Sequence, residues 1–480
     1  MISTALINTA TSIRAADRAP IADWRPEDPA FWAAGGARIA RRNLAFSILT
    51  EHIGFSVWSL WSVLVLFLGP AYHVDAAGKF VLTAVPTLVG SLLRVPYSVA
   101  VVRFGGRTWT VVSALLLLAP CALAAVLVTP GISYSSLMIL AALAGVGGGN
   151  FASSMTNINA FYPQRRKGWA LGLNAGGGNL GVAVVQLAGL AVLAWTGAGH
   201  PRMLAGVYLP LIVVAAAGSA LWMDNLAKPG EGRSATDPGA SASGSAFPAV
   251  RAACREPHTW IISLLYIGTF GSFIGFGFAF GQVLQVQFKA QFATPVDAAY
   301  LTFLGPLVGS LTRPIGGRLA DRLGGARVTV WSFAAMAASA ALVLAASLSH
   351  SLPAFMAGFV LLFALSGAGN GSVYKLIPSI FVGRAGGPEH VQRLAGALIA
   401  IAGAVGAFGG VLVNLAFRES FLAYKSGTAA YVAFLAAYVV LGALASVVYL
   451  RREGAAANAA PAPAPASASA SDALTAPSVP

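Results

Sequence analysis

The sequence predicts an all-α polytopic membrane protein whose twelve transmembrane helices form two pseudo-symmetric six-helix bundles. Three observations support this fold class: the composition, the recurrence of long apolar stretches and a repeat between the two halves. The chain has 480 residues, of which 57% are hydrophobic and only 10% are charged, whereas soluble domains carry about 25% charged residues. A soluble protein of this length could not bury so much apolar surface, so the composition excludes that class.

Apolar stretches long enough to cross about 30 Å of hydrocarbon recur twelve times along the chain. Six precede a long polar interruption, at 44–69, 79–102, 108–129, 136–162, 168–196 and 203–224. Six follow it, at 258–288, 296–321, 327–348, 353–383, 393–417 and 428–451. We refer to them in chain order as spans 1 to 12.

The polar segments divide the chain into five parts. Residues 1–43 are expected to form a cytoplasmic N-terminal segment, 44–224 the first six-helix bundle and 258–452 the second. Between the bundles, 225–257 is a cytoplasmic segment rich in Gly, Ser, Ala and Pro, a composition typical of a flexible linker. The alternating Ala, Pro and Ser of 453–480 predict a disordered cytoplasmic tail.

The basic residues predict the orientation, because Lys and Arg concentrate in cytoplasmic loops. With the N-terminus inside, the inner loops hold most of them, including the run at 165–167. The outer loops then hold only Lys79, Arg202, Lys289, Arg418 and Lys425. Both termini are therefore expected in the cytoplasm. No basic patch interleaved with aromatic residues lies on a soluble module, so no nucleic-acid partner is expected.

The two halves repeat each other in sequence. GSLLRVPYSVAVVRFGGR (90–107) aligns without gaps with GSLTRPIGGRLADRLGGA (309–326), and a weaker echo pairs GGGN (147–150) with GAGN (367–370). Two parallel six-span repeats describe the architecture of the major facilitator transporters.

GGRLADRLGGAR (316–327) resembles the cytoplasmic loop signature of that superfamily. The aspartate of the signature corresponds to Asp321 in this segment. The equivalent segment of the first half has Val102 at that position. We expect Asp321 to cap a helix or to pair with Arg322 or a neighbouring helix end. The signature supports the fold and carries no information about the substrate.

Five ionisable residues fall within the predicted spans: Glu51, His52, Arg94, Arg313 and Lys375. A charge at a helix centre costs about 2.5–3.5 kcal/mol or more, so each needs a partner or a water-filled cavity. Arg94 and Arg313 occupy equivalent mid-span positions, which can face each other across a pseudo-twofold axis. With Glu51 as their one carboxylate partner, the guanidiniums would leave a positive site near the midplane. Their planar forks match two oxygens of a small planar oxyanion.

Each of these charges also has a structural interpretation. Either arginine could bond backbone carbonyls and stabilise a kink beside the proline that follows it. Glu51 and His52 lie about two helical turns from the start of span 1. They fit a proton-coupling site, since His titrates near neutrality, and they fit equally a salt bridge with Lys167 or a loop arginine. Lys375 could attract anions or extend its ammonium group to the membrane interface.

Glycines and asparagines interrupt spans 4, 5 and 11. Small residues let helix backbones approach closely in lipid, so we expect the glycines of span 4 to slide against span 5, with Gly172 on the same surface. The expected gating glycines are Gly147, Gly148, Gly149, Gly176, Gly178, Gly403 and Gly406. The asparagines of spans 4 and 5 are uncharged donors that can line an anion path. The motif G-x-x-x-x-G-K-[ST] is absent, which argues against a nucleotide site.

Four runs resemble the signature segments of the nitrate/nitrite porter family of the major facilitator superfamily: GGGNFASSMTNINAFYP, KGWALGLNAGGGNLGV, GSLLRVPYS and LSGAGNGSVYKLIP. DWRPEDPAFW (23–32) and LLYIGTFGSFIGF (264–276) are similar to its N-terminal segment and its span 7. The resemblance implies transport of nitrate and nitrite by alternating access in a bacterial inner membrane. It also implies two substrate arginines, two aromatics that sandwich the planar anion, and polar contacts. These residues correspond to Arg94, Arg313, Phe151, Phe270, Tyr266 and Asn179, with Asn174 close by.

The coupling mode stays open between nitrate/nitrite antiport and nitrate-proton symport. Some bacterial members have an apolar first span without a counterpart of Glu51 and His52, and some have an uncharged residue in place of Lys375. These three residues are therefore the candidates for coupling.

The sequence thus predicts a monomeric secondary transporter whose partners are nitrate, nitrite and membrane lipid, together with protons if it is a symporter. No clustered His, Asp or Cys offers a metal site and no carboxylate pair offers acid-base chemistry in the membrane, so neither a cofactor nor an enzyme is expected. The alternatives are a transporter of another small anion, such as phosphate or a short carboxylate, and a nitrate sensor that does not transport.

Overall fold

The computed structural model describes residues 19–197, 200–227, 246–380 and 387–451. Most of the predicted linker and all of the predicted tail lie outside the described residues. The first half contains α1 (Pro29–Phe67), α2 (Ala76–Phe104), α3 (Gly106–Leu127), α4 (Tyr134–Phe161), α5 (Gln164–Thr196) and α6 (Met203–Trp222). The second half contains α7 (Pro257–Gln287), α8 in two pieces (Pro295–Thr302 and Leu304–Leu323), α9 (Gly325–Leu348), α10 (Leu352–Ile380), α11 (Gly387–Tyr424) and α12 (Thr428–Leu450). A short helix, Ala246–Cys254, precedes α7.

Eleven of these helices are long and apolar enough to cross a membrane, within the part of the chain that the structure describes. The twelfth, α8, lies where span 8 was predicted. Its second piece carries Arg313, Arg318, Asp321 and Arg322, and these charges lower its hydropathy. The helix that departs from the apolar pattern thus carries one of the two candidate site arginines together with the three charged residues of the loop signature.

The first helix begins earlier than the predicted span 1. The side chain of Asp28 accepts a hydrogen bond from the backbone N–H of Ala30 at 2.9 Å and caps the helix start. The arginine-rich turns that follow are helical, and Arg42 pairs with Asp224 at 2.6 Å. An apolar-stretch criterion misses such a charged first turn. Glu51 consequently lies well inside a helix that begins before the predicted span 1.

Among the described helices, α4 and α7 each carry a 3₁₀ or π-helical turn near their middle. In α4 a 3₁₀ segment, Gly145–Gly149, separates two α-helical pieces. In α7 a π-helical segment, Ile267–Gly271, does the same. Such turns expose or redirect side chains that a regular helix would pack, and π-turns are frequent at functional sites.

The glycines of α4 pack against α1 and α2. A Cβ at Gly148 would lie 2.7 Å from the Cα of Gly90 in α2, and a Cβ at Gly147 would collide with the carbonyl of Gly54 in α1. The expectation that these glycines slide against span 5 is therefore wrong, because α5 packs mainly along α1. Gly172 of α5 also has no close neighbour, since a Cβ there would meet no atom within 4 Å.

The two halves meet along α2 with α11 and along α5 with α8. Toward the predicted outer end, the Oγ1 of Thr83 donates to the Oδ1 of Asn414 at 2.8 Å. Also beyond the helix centres, the Nε2 of Gln186 donates to the carbonyl of Gly277 at 3.0 Å. We call these four residues the outer contact. It holds the halves together on the side of the molecule opposite the start of α1 and the end of α12.

Candidate functional site

The first candidate arginine is held by two helices from different halves. Arg94 is fully buried; its Nε donates to the carbonyl of Gly148 at 3.2 Å and its Nη1 to the carbonyl of Gly403 at 2.8 Å. The structural interpretation of Arg94, bonding to backbone carbonyls, is thus realised in part. Its Nη2 has no hydrogen-bond partner among the described residues. The side chain therefore links the halves and keeps one donor group available.

The second arginine faces the same region from α8. Arg313 is 3% exposed, and its Nη2 donates to the hydroxyl of Tyr266 at 2.9 Å. Its Nη1 is buried without a hydrogen-bond partner in the described part of the chain. Both arginines thus present an unused N–H donor group in a site from which water is largely excluded, where such donors bind an anion strongly.

Two aromatic rings lie between the arginines. The guanidinium carbon of Arg94 is 4.4 Å from the ring centroid of Phe151 and 4.7 Å from that of Phe270. The corresponding distances from Arg313 are 5.5 Å and 5.7 Å. These distances are within the range of cation–π attraction. The structure therefore brings the two predicted arginines and the two predicted phenylalanines into one cluster.

The two rings contact each other in this conformation. The centroids of Phe151 and Phe270 are 5.7 Å apart and their planes are inclined by 29°. A planar anion held face to face between two rings needs a separation of about 7 Å, that is, two contacts of about 3.5 Å each. The rings would therefore have to separate by about 1–2 Å to hold an anion between them.

The irregular turns position these rings. Phe270 lies within the π-helical segment of α7, and Phe151 is the second residue after the 3₁₀ segment of α4. Gly403 borders the cluster, because a Cβ there would be in van der Waals contact, at 3.5 Å, with both Arg94 and Phe151. A Cβ at Gly406 would collide with the ring of Tyr266. The two glycines of α11 thus face the site residues.

Two residues that the sequence analysis did not single out belong to this region. The ring of Tyr374 lies 4.8 Å from that of Tyr266 and 5.6 Å from the guanidinium carbon of Arg313, and its buried hydroxyl has no partner among the described residues. Asn370 lies one turn earlier on α10 and is fully buried, with no hydrogen-bond partner in the described chain for either side-chain polar atom. The sequence feature that indicated this face of α10 was GAGN (367–370), which repeats GGGN (147–150) of the first half.

The two asparagines of α5 occupy different surroundings. Asn179 is fully buried without a side-chain hydrogen bond to any described residue. It follows Gly176 by three residues and shares its face, and a Cβ at Gly176 would lie 3.4 Å from the carbonyl of Ser310 in α8. Asn174 points instead toward α1 and α4.

Asn174 belongs to a second polar cluster, centred on Glu51. The Nδ2 of Asn174 donates to the Oε2 of Glu51 at 2.7 Å and to the Oγ of Ser154 at 2.8 Å. Ser154 is hydrogen-bonded to the same carboxylate oxygen. Glu51 is fully buried, and a Cβ at Gly178 would collide with it, so that glycine makes room for the carboxyl group. The predicted salt bridge between Glu51 and Lys167 is absent from the ion pairs of the described residues.

The other two coupling candidates lie outside both clusters. The Nδ1 of His52 is 3.1 Å from the carbonyl oxygen of Gly177. The Nζ of Lys375 pairs with the Oδ1 of Asp321 at 2.5 Å, and both side chains are 51% exposed. Asp321 thus pairs with α10 rather than with Arg322, and Lys375 reaches the edge of the helix bundle.

Comparison with known proteins identifies relatives over most of the chain. A family model described as Major Facilitator Superfamily matches residues 46–414. The nitrate/nitrite transporter NarU of Salmonella typhimurium is 38% identical over 83% of this chain and 89% of its own length. A nitrite extrusion protein of Bacillus subtilis is 29% identical over 80% of this chain and 88% of its own length.

Solved structures agree on the fold. The xylose transporter XylE from E. coli, in a partially occluded inward-open conformation, aligns with a TM-score of 0.62 at 14% identity. That alignment covers 86% of this chain and 98% of the other chain. The nucleoside transporter NupG aligns with a TM-score of 0.59 at 12% identity, over 85% of this chain and 100% of the other. At such low identity, these two likenesses bear on the fold alone.

Proposed function

The chain belongs to the Major Facilitator Superfamily and, within it, to the nitrate/nitrite transporter family, and from that membership we propose that it moves nitrate and nitrite across the membrane by alternating access. It is a multi-pass membrane protein and a transporter rather than an enzyme. The bundles 44–224 and 258–452 are the two bodies that rock about the site. Transporters of this architecture bind their substrates at the interface of such repeats.

One observation carries this proposal: two buried arginines from equivalent positions of the two halves each keep an unused donor group beside a shared aromatic cluster. Neither arginine forms an ion pair with a carboxylate among the described residues. The positive charge is therefore available to an anion, and the rings of Phe151 and Phe270 favour a flat one. Tyr266 and Asn179 supply neighbouring polar groups, whereas Asn174, which the sequence analysis also assigned to the substrate site, lies in the separate cluster around Glu51.

The remaining features of the proposal follow from the charge pattern and the family. We place the protein in the cell inner membrane as a monomer in contact with lipid, with both termini in the cytoplasm. The outer contact then closes the extracellular side of the site. Exchange of nitrate for nitrite and symport of nitrate with protons are both compatible with this arrangement.

The test is isotope-labelled nitrate uptake into proteoliposomes preloaded with nitrite, for the wild type and for Arg94→Ala and Arg313→Ala. We expect each substitution to lower the flux by about 30-fold or more, because it removes a buried charge-assisted contact worth about 2–5 kcal/mol. Arg94→Lys should retain part of the flux, since it keeps the charge and loses the planar fork. Arg41→Ala, at an exposed position near the start of α1, is the matched control.

The same vesicles separate the competing functions. Binding of nitrate without exchange would identify a sensor, and stronger competition by phosphate or a short carboxylate than by nitrite would identify another anion as the substrate. Full flux in both alanine variants would show that the site lies elsewhere.

A further inference from the structure

We propose that Glu51 is the site that carries the transported proton, so that the protein couples nitrate uptake to protons through the Glu51–Ser154–Asn174 cluster. This inference rests on the proposed function and specifies its coupling mode. Its support is geometric: a buried carboxyl group, a hydroxyl that it shares with the substrate-binding turn, and two uncompensated arginines within electrostatic reach.

Only one of the two oxygens of the Glu51 carboxyl group is hydrogen-bonded to described residues. Its Oε2 receives the hydrogen bonds of Ser154 and Asn174, while its Oε1 is buried and has no hydrogen-bond partner among the described residues. An ionised carboxylate that is buried without a hydrogen-bonded cation carries a desolvation cost of several kcal/mol. Protonation removes that cost and turns the group into a hydrogen-bond donor. The site is therefore suited to take up and release a proton.

Ser154 connects the proton to the substrate site. Its hydroxyl lies within hydrogen-bond distance of the Glu51 carboxylate and, at 3.1 Å, of the carbonyl of Phe151. A serine hydroxyl has one proton to donate. It donates to Glu51 when the carboxylate is ionised, and it can donate to Phe151 when the carboxyl group is protonated and itself donates to Ser154. Protonation thus changes a hydrogen bond in the helical turn that holds a ring of the anion site.

Electrostatics determines whether protonation of Glu51 strengthens or weakens nitrate binding. Through Ser154 the carboxyl group of Glu51 lies beside the turn of Phe151, and the ring of Phe151 is 4.4 Å from the guanidinium carbon of Arg94 and 5.5 Å from that of Arg313. At this short range an ionised Glu51 competes with an anion for the field of the two arginines. Neutralising Glu51 at low pH leaves the arginines free to hold nitrate, and ionisation at high pH weakens nitrate binding. By linkage, bound nitrate favours the protonated carboxyl group to the same extent. One proton and one nitrate then bind together and cross the membrane together.

The other ionisable groups near Glu51 do not compete for this role. His52 is its chain neighbour, and its ring is engaged with the carbonyl of Gly177 on α5. Among the described residues, α4, α5 and α6 place no charged side chain next to Glu51. The charged side chains that face it from α2 and α8 are Arg94 and Arg313. From α7 and α10, Tyr266 and Tyr374 face the arginines.

The test measures two modes of transport for the wild type and Glu51→Gln in proteoliposomes. In the wild type, an inward proton gradient should drive nitrate accumulation without internal nitrite. Glu51→Gln should lose that accumulation and still exchange external nitrate for internal nitrate, since the amide keeps the shape of the group and cannot cycle a proton. Exchange also shows that the variant is folded.

Nitrate affinity as a function of pH is the second measurement. We expect the wild-type Kd to rise about tenfold between about pH 5 and about pH 9, and the Kd of Glu51→Gln to stay low and flat. Glu419→Gln, an exposed glutamate, should behave as the wild type. His52→Gln should also keep proton-driven uptake.

Distinct outcomes overturn the two proposals. Proton-driven accumulation in Glu51→Gln, loss of it in His52→Gln, or a wild type that exchanges nitrate but ignores the proton gradient would each refute the role of Glu51. A wild type that neither exchanges nor accumulates nitrate would refute the proposed function itself.

Discussion

The guanidinium groups of Arg94 and Arg313 carry the same charge, and each of them forms hydrogen bonds with only some of its N–H donors. Arg94 uses backbone carbonyls and Arg313 uses the hydroxyl of Tyr266. Both guanidinium groups also lie near the faces of Phe151 and Phe270, whose quadrupoles attract cations. These contacts offset part of the burial cost and leave donors for an anion.

Tyr374 is the residue that we expect to modulate substrate binding beyond the arginine pair. Its hydroxyl is buried beside Tyr266 and Arg313 without a partner among the described residues. Tyr374→Phe removes that donor and keeps the ring, so nitrate Kd should rise about fivefold, the equivalent of a hydrogen bond worth about 1 kcal/mol. Binding titrations of the purified protein measure this change, with Tyr424→Phe as the exposed control. An unchanged Kd would show that the hydroxyl does not contact the anion.

At the scale of the helices, backbone contacts between glycines determine how closely the site elements approach. Gly148 and Gly90 bring α4 against α2, and Gly271 and Gly409 bring α7 against α11 in the same manner. Each contact lies at or beside an irregular turn that holds a ring of the site. A side chain at these positions would separate the helices and displace the ring.

Gly148→Ala tests the contact between α2 and α4. The added Cβ would lie 2.7 Å from the Cα of Gly90, and overpacking of this kind costs about 1–3 kcal/mol. We expect a lower midpoint of thermal unfolding in detergent and a reduced nitrate flux. Gly172→Ala, where a Cβ meets open space, is the matched control and should leave both quantities near the wild-type values. Equal behaviour of the two variants would contradict the packing explanation.

At the scale of the whole molecule, the outer contact joins the two halves between the site and the predicted outer end. Gln282 extends it, because its Nε2 also lies 3.4 Å from the hydroxyl oxygen of Thr83. Alternating access requires these hydrogen bonds to break when the outer side opens. They are few and uncharged, so the opening costs little and can be reversed in each cycle.

A disulfide across the outer contact should stop transport. We expect Thr83→Cys combined with Asn414→Cys, in a Cys254→Ser background, to lose nitrate exchange on oxidation and to regain it on reduction, because α2 and α11 could no longer separate. Cys121 is buried and stays in place. The two single-cysteine variants should keep their flux under oxidant. Undiminished exchange by the fully cross-linked protein would show that the outer contact does not open during transport.

The two arginines of the site could be predicted from the sequence because the repeat between the two halves aligns them. Arg94 and Arg313 stand at equivalent positions of one motif, and a membrane charge requires a function or a partner. The partners of the glycines could not be predicted in this way, since a small residue permits close approach without specifying which helix approaches. The start of α1 was placed too late because hydropathy does not detect the charged helical turns that precede span 1.

The amino-acid sequence by itself determined the membrane class, the helix order, the repeat and the family, because these depend on composition, periodicity and motifs that are read along the chain. Only the tertiary structure decided that Glu51 shares a hydroxyl with the turn of Phe151, that Tyr374 faces Arg313 and that Lys375 pairs with Asp321. Those contacts join residues that are distant in the chain, and they depend on the register and rotation of packed helices, which a single sequence does not encode locally.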